Sequence, residues 1–225
     1  MSGRDDRSGP PADSKLTVAK RRWAEARKFI TGQVTRPEDQ RLPPGQHLTK
    51  DWPVLDLGQT PNVPLHHWRL DVTGSVEHPL SLDWQQLLQL PQSREVTDIH
   101  CVTTWSRYDN EWQGVLTHDL LDAAMPKPEA THVTLSSYDG YTTNVPLVDF
   151  AAPNAMLVHT WQGKPLTREH GGPLRLVIPH LYFWKSAKWL QTIEFMTADK
   201  PGFWEVNGYH MRGDPWAEQR YSDDP

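Results

Sequence analysis

At 225 residues the chain is long enough to bury one sizeable core, and its formal charge of -5 argues against the basic face that nucleic-acid binders require. A single cysteine excludes an internal disulfide and suits a reducing compartment, while 20 prolines and 11 tryptophans exceed ordinary usage. No window reaches the roughly 18 apolar residues of a membrane span, and the polar N-terminal region lacks the apolar run of an export signal. A cytoplasmic protein with neither membrane nor nucleic acid as partner is the expectation.

Residues 1–13, "MSGRDDRSGPPAD", have the composition of a disordered tail. Leu16, Ala19, Trp23, Ala26 and Ile30 then recur at spacings of three and four, predicting an amphipathic helix from Ser14 to Gly32 that packs by one apolar stripe. Residues 33–64 hold six prolines and read as an extended segment wrapping the core. "HWRLDVTGSV" (His67 to Val76) predicts a strand bending at Gly74, and "LSLDWQQLLQLP" (Leu80 to Pro91) a short helix ended by proline. "EVTDIHCVT", "THVTLSSYDGYTTNVPL", "AMLVHTW", "LRLVIPHLYF" and "KWLQTIEFMTAD" are β-branched runs of strand length, and "THDLLDAAM" is a brief helix. The result is a β-dominated α+β fold: a tail over 1–13, an N-terminal helix and linker over 14–42, and one domain over 43–225.

The chemistry centres on "DIHCVTTWSRYDNEW", which holds the lone thiol, Cys101. Read from residues alone, Cys101 is a buried hydrophobe, a nucleophile or a metal ligand. Zinc lacks a second cysteine, an HExxH motif or a helical histidine pair. A Cys/His hydrolase would draw its base from His159, His170 or His180, whose distances the linear sequence does not show. Further on, "HGGPLRLVIPHLYFWKSAKWL" sets His170, Arg175, Lys185 and Lys188 around an apolar strand and a turn with Ser186. Charge-assisted bonds from such a turn suit a phosphate; solvated surface charges are the plain alternative.

Together, "IHCVTTWS…W.GV" and, about seventy residues later, "EHGGPLRLVIPHLYFWKSAKWL" resemble the molybdopterin-binding domain of the sulfite oxidase family, most closely its bacterial cytoplasmic branch. The likeness runs from about Pro43 to "GYHMRGDPWAEQRY", with "DGYTTNVPL" between the two motifs.

The resemblance implies a sulfite oxidase-type fold holding a molybdenum–molybdopterin cofactor, with Cys101 as the protein ligand to the metal, where a soft thiolate joins the dithiolene sulfurs. It implies that His170, Arg175, Ser186, Ala187 and Lys188 contact the cofactor, with Arg175 toward its phosphate and Lys185 as a weaker candidate. Ser136 falls near another pterin contact, or Ser137 after a shift of one residue, and Tyr141 is the residue brought to the metal's open face. The implied activity is two-electron oxygen-atom transfer on a small substrate such as sulfite or a sulfoxide. No haem motif is found, so electrons pass to or from a separate carrier. Sulfite oxidases follow the ligand cysteine with arginines where Trp105 and Ser106 stand here, leaving Arg107 as the cation that compensates. That departure motivates the alternative of a non-catalytic molybdopterin-binding protein.

Overall fold

A computed structural model describes residues 37–224, so the tail and helix expected over 1–32 lie outside the described residues. Residues 37–64 run largely without regular structure, as their prolines dictate, and contribute only the two-residue strand β1 (His47–Leu48) and one 3-10 turn. Among the described residues no helix is long and apolar enough to cross a membrane.

Two sheets carry the fold. In the first, β5 (Trp105–Leu116) pairs antiparallel with β4 (Ser93–His100) along one edge. Its other edge is shared by β1, which pairs parallel at Trp105 and Ser106, and by β8 (Met156–Trp161) further along. β9 (Lys164–Pro165) and β10 (Arg175–Val177) extend the sheet from β8. The second sheet runs β3-β2-β11-β6-β7, built from β2 (Arg69–Gly74), β3 (Leu80–Asp83), β6 (His132–Ser137), β7 (Thr142–Pro146) and β11 (Leu190–Met196). Only β2 and β11 pair parallel within it. Alternation decides its buried face: Leu70 and Val72 of β2, Val133 and Leu135 of β6, and Ile193 of β11 have no exposure.

Short helices fill the connections: α1 (Trp84–Gln89), α2 (Thr117–Ala124), α3 (Leu147–Phe150) and α4 (Phe203–Val206). The helix expected over Leu80 to Pro91 begins only at Trp84, because Leu80–Asp83 pairs with β2 as a strand. Asp83 starts the helix through a capping box, accepting from Gln86 N at 2.9 Å while Gln86 Oε1 accepts from Asp83 N at 2.8 Å. The strand expected across "LRLVIPHLYF" ends at Val177, and a 3-10 turn over Phe183–Lys185 follows. β5, the longest strand, is not among the sequence-based expectations.

Candidate active site

Cys101 stands at the tip of the β4–β5 hairpin. Its backbone N–H donates to Trp105 O at 2.8 Å and its carbonyl accepts from Thr104 N at 3.0 Å, closing a tight turn that Thr104 completes at φ 75°. Gln46 Nε2 donates to the same carbonyl at 3.2 Å. The thiol is 5% exposed and lies 3.1 Å from Thr103 Oγ1. Burial pushes it above the ordinary thiol range, against the Thr103 hydrogen bond and the field of Arg220.

This thiol opens on a cavity of about 330 Å³ that draws walls from both sheets, Trp105 from one and Ser137 from the other, with Trp189 just before β11. His170, Arg175, Ser186, Ala187 and Lys188 line it too, so residues 69 to 87 positions beyond Cys101 converge on it.

The turn 167–173 shapes the cationic wall. Gly171 at φ 103° leaves no room for a side chain: a Cβ there would lie 3.0 Å from Lys188 Cβ and 3.2 Å from Arg175 Cβ. Arg175, 2% exposed, donates to His170 O at 2.9 Å, Ser186 O at 2.8 Å and Leu176 O at 3.4 Å, and lies 4.1 Å over the Phe183 ring. Two of its five N–H groups are thus left for a ligand. Burial lowers Arg175 to about 9, and burial plus the neighbouring Arg175 lowers Lys188 to about 8. Two crowded cations in a poorly solvated wall are relieved by an anion placed between them.

Other residues have narrower roles. His170 Nδ1 lies 2.9 Å from Thr167 Oγ1 and Nε2 lies 3.1 Å from Trp52 O; burial holds the imidazole toward its neutral form, so the carbonyl partner fixes the proton on Nε2. With both nitrogens spent and the ring stacked 4.0 Å from Trp52, His170 shapes the wall. Ser186 Oγ accepts from Ile178 N at 3.0 Å, and Ala187 O from Leu176 N at 2.9 Å, holding their turn against β10.

Several expected positions are corrected by the structure. Ser136 does not line the cavity; Ser137 does, on the opposite face of β6, and its Oγ is buried without a hydrogen-bond partner among the described residues. Lys185 is turned away, fully buried against Glu205. Arg107 does not reach the cavity: it donates to Lys50 O at 3.2 Å and to Asn110 Oδ1, under the Trp161 ring. Ser106 also faces inward, with Oγ 2.8 Å from His100 Nδ1. Tyr141 lines the cavity, yet its hydroxyl donates to Trp184 O at 2.6 Å, and burial with the Glu205 charge holds it far above the ordinary phenol range.

Tyr209 was missed. It lines the cavity, burial and then the neighbouring Tyr221 and Cys101 raise its pKa, and it stacks 4.9 Å from Trp204. Its position in "GYHMRGDPW" has no periodicity or charge pattern to mark it.

Comparison with known proteins decides the family. The oxidoreductase molybdopterin-binding domain matches residues 57–204. The chain belongs to that family. It is 51% identical over 191 residues to the uncharacterized oxidoreductase YuiH of Bacillus subtilis, spanning 84% of this chain and 96% of that protein. It is 32% identical over 155 residues to the protein-methionine-sulfoxide reductase catalytic subunit MsrP of Gluconobacter oxydans, spanning 61% of this chain but 49% of that protein. The crystal structure of the sulfane dehydrogenase SoxCD from Paracoccus pantotrophus shares the fold at a TM-score of 0.58 and 18% identity, over 88% of this chain and 56% of that one. The chain therefore spans nearly all of YuiH and about half of the other two. Membership makes it an oxidoreductase domain that binds molybdopterin, on the β-dominated fold that the two motifs imply.

Proposed function

We propose that this protein is a molybdenum–molybdopterin enzyme that transfers an oxygen atom, with two electrons, to or from a small sulfur-centred substrate. One observation carries the reading: the only thiol and two crowded cations share a single cavity. Among the described residues no group of three or more His, Cys, Asp or Glu is placed to hold a metal, so a metal bound to Cys101 would take its other ligands from a cofactor.

The donor set fits molybdopterin. Arg175 and Lys188 suit its phosphate, Ser137 offers an unspent buried hydroxyl, and Cys101 offers the soft ligand. When bound, the cofactor would supply the two-electron redox chemistry. The chain's residues orient and seal: His170 and Trp52 form an aromatic wall, and Tyr209 lines the same cavity as the thiol. The names of MsrP and SoxCD, a sulfoxide reductase and a sulfane dehydrogenase, support sulfur as the reacting centre. We further propose a cytoplasmic location and a separate electron carrier.

Protein purified from a cofactor-competent host should contain about one molybdenum and one pterin per chain. Cys101→Ser should remove the thiolate-to-metal absorption and turnover while leaving the circular dichroism unchanged. Wild-type protein without molybdenum or pterin would sink the proposal.

A further inference from the structure

We propose that Arg220 is a positioning residue that tunes the reduction potential of the bound metal, favouring its reduced state by fixing a positive charge behind the turn that carries Cys101. This rests on the molybdenum–pterin reading above.

The carbonyls of that turn are held by donors from distant segments. Cys101 O accepts from Gln46 Nε2 at 3.2 Å, Val102 O from Arg220 Nη1 at 2.8 Å and Thr104 O from His47 N at 2.9 Å. Arg220 Nη2 also donates to Pro44 O at 3.3 Å, so one guanidinium ties the turn to the segment that leads into β1. Gln46 is fixed in its turn, since its Oε1 accepts from Ser106 Oγ at 3.3 Å, a hydroxyl that lies 2.8 Å from His100 Nδ1. The backbone of the metal ligand is thus held from behind, while its thiol lines the cavity.

Of these donors only Arg220 is charged. Its side chain is half-buried, lies 5.0 Å over the Tyr182 ring, and forms no ion pair among the described residues. The nearby carboxylate of Asp224 is spent on the backbone N–H groups of Arg220 at 2.8 Å and Tyr221 at 2.6 Å. Arg175 and Lys188 border the 167–173 turn, where the cofactor phosphate would neutralise them, but Arg220 does not line the cavity and keeps its charge uncancelled. Its field favours negative charge on Cys101. When a separate carrier is oxidised and passes two electrons to the metal, negative charge is added to the metal and its thiolate. A fixed cation one peptide away, partly shielded from water, stabilises that charge.

The test uses the cofactor-loaded protein and begins with its molybdenum and pterin content; absence of both from the wild type overturns the underlying function reading. With cofactor present, the metal is titrated potentiometrically, read by the thiolate-to-metal absorption. At the wild-type midpoint, the ratio of reduced to oxidised metal in Arg220→Gln should fall about tenfold, a shift of about -30 mV for a two-electron couple. Arg220→Lys keeps the charge and should stay within about threefold of the wild type, a separation that loss of positioning alone would not produce. Glu218 is exposed, and a Cβ on Gly45 would lie 3.3 Å from both its Oε1 and Arg220 Nη2. Glu218→Lys should therefore raise the ratio about threefold, and it decides the question should Arg220→Gln lose its fold or its cofactor. An unchanged ratio in Arg220→Gln, an equal fall in Arg220→Lys, or an unchanged or lowered ratio in Glu218→Lys overturns the proposal.

Discussion

Lys185 Nζ lies 2.6 Å from Glu205 Oε1, with both side chains wholly buried, and that carboxylate oxygen also accepts from Trp184 Nε1 at 2.9 Å and Thr143 Oγ1 at 3.0 Å. The pair stands behind the cavity wall rather than in it. Removing one partner strands a charge in a site with little water, so Lys185→Met or Glu205→Gln should each cost about 3–5 kcal/mol, measured by urea unfolding. The double variant Lys185→Met/Glu205→Gln should cost less than the sum of the singles. Additive losses would refute the coupling.

The two cavity tyrosines should separate. Tyr141→Phe leaves the Trp184 carbonyl without its donor in a buried setting, costing about 1–2 kcal/mol of stability with little change in kcat. Tyr209→Phe should leave stability within about 0.5 kcal/mol and lower kcat. Thermal melts and steady-state rates on one substrate check both, and the opposite pattern would return the catalytic role to Tyr141.

Arg175 and Lys188 should determine cofactor retention. Arg175→Met and Lys188→Gln are expected to purify with less than about a tenth of the wild-type pterin, since each removes a charge-assisted bond to phosphate. Cofactor-free Lys188→Gln should melt no lower than cofactor-free wild type, because a crowded cation has gone, whereas Arg175→Met should melt lower, because the carbonyls of His170 and Ser186 lose their donor. The stabilisation conferred by cofactor on the wild type should be absent.

Acid stability should report on Asp149. Burial alone would raise its carboxyl, but hydrogen bonds and charge from His180 (2.9 Å) and Arg212 (3.0 Å) prevail and lower it to about 2. A folded-state pKa below the unfolded value contributes stability above about pH 4, lost as pH falls toward 2. With the side chain 5% exposed, this amounts to about 2 kcal/mol. Urea unfolding between pH 5 and 2 should show that loss in wild type, and Asp149→Asn should flatten it; an unchanged slope in the variant would rule out this role.

Local pattern was legible in the chain: alternation announced β2, β-branched runs of strand length announced β6, β8 and β11, and the segment THDLLDAAM was expected as the brief helix that became α2. β5 escaped because Ser106 and Asn110 break its pattern. Both are nonetheless fully buried, satisfied by partners on other segments, as when Asn110 Nδ2 donates to Thr97 O at 3.1 Å.

The lone thiol and the "HGGPLR…KSAK" motif were likewise in the sequence, and through resemblance they led to the family. What the sequence by itself determined was residue type and local repeat. Lys188 was the expected cofactor contact and Lys185 the weaker candidate; the fold set Glu205 against Lys185 and the cavity against Lys188. Ser136 and Ser137 were likewise sorted only by which face of β6 each occupies, and the Tyr141 hydroxyl by the Trp184 carbonyl that accepts from it. Tertiary structure decided these because spacing along a strand fixes the face a side chain takes relative to its neighbours, while distance across sheets depends on how the whole chain returns to them.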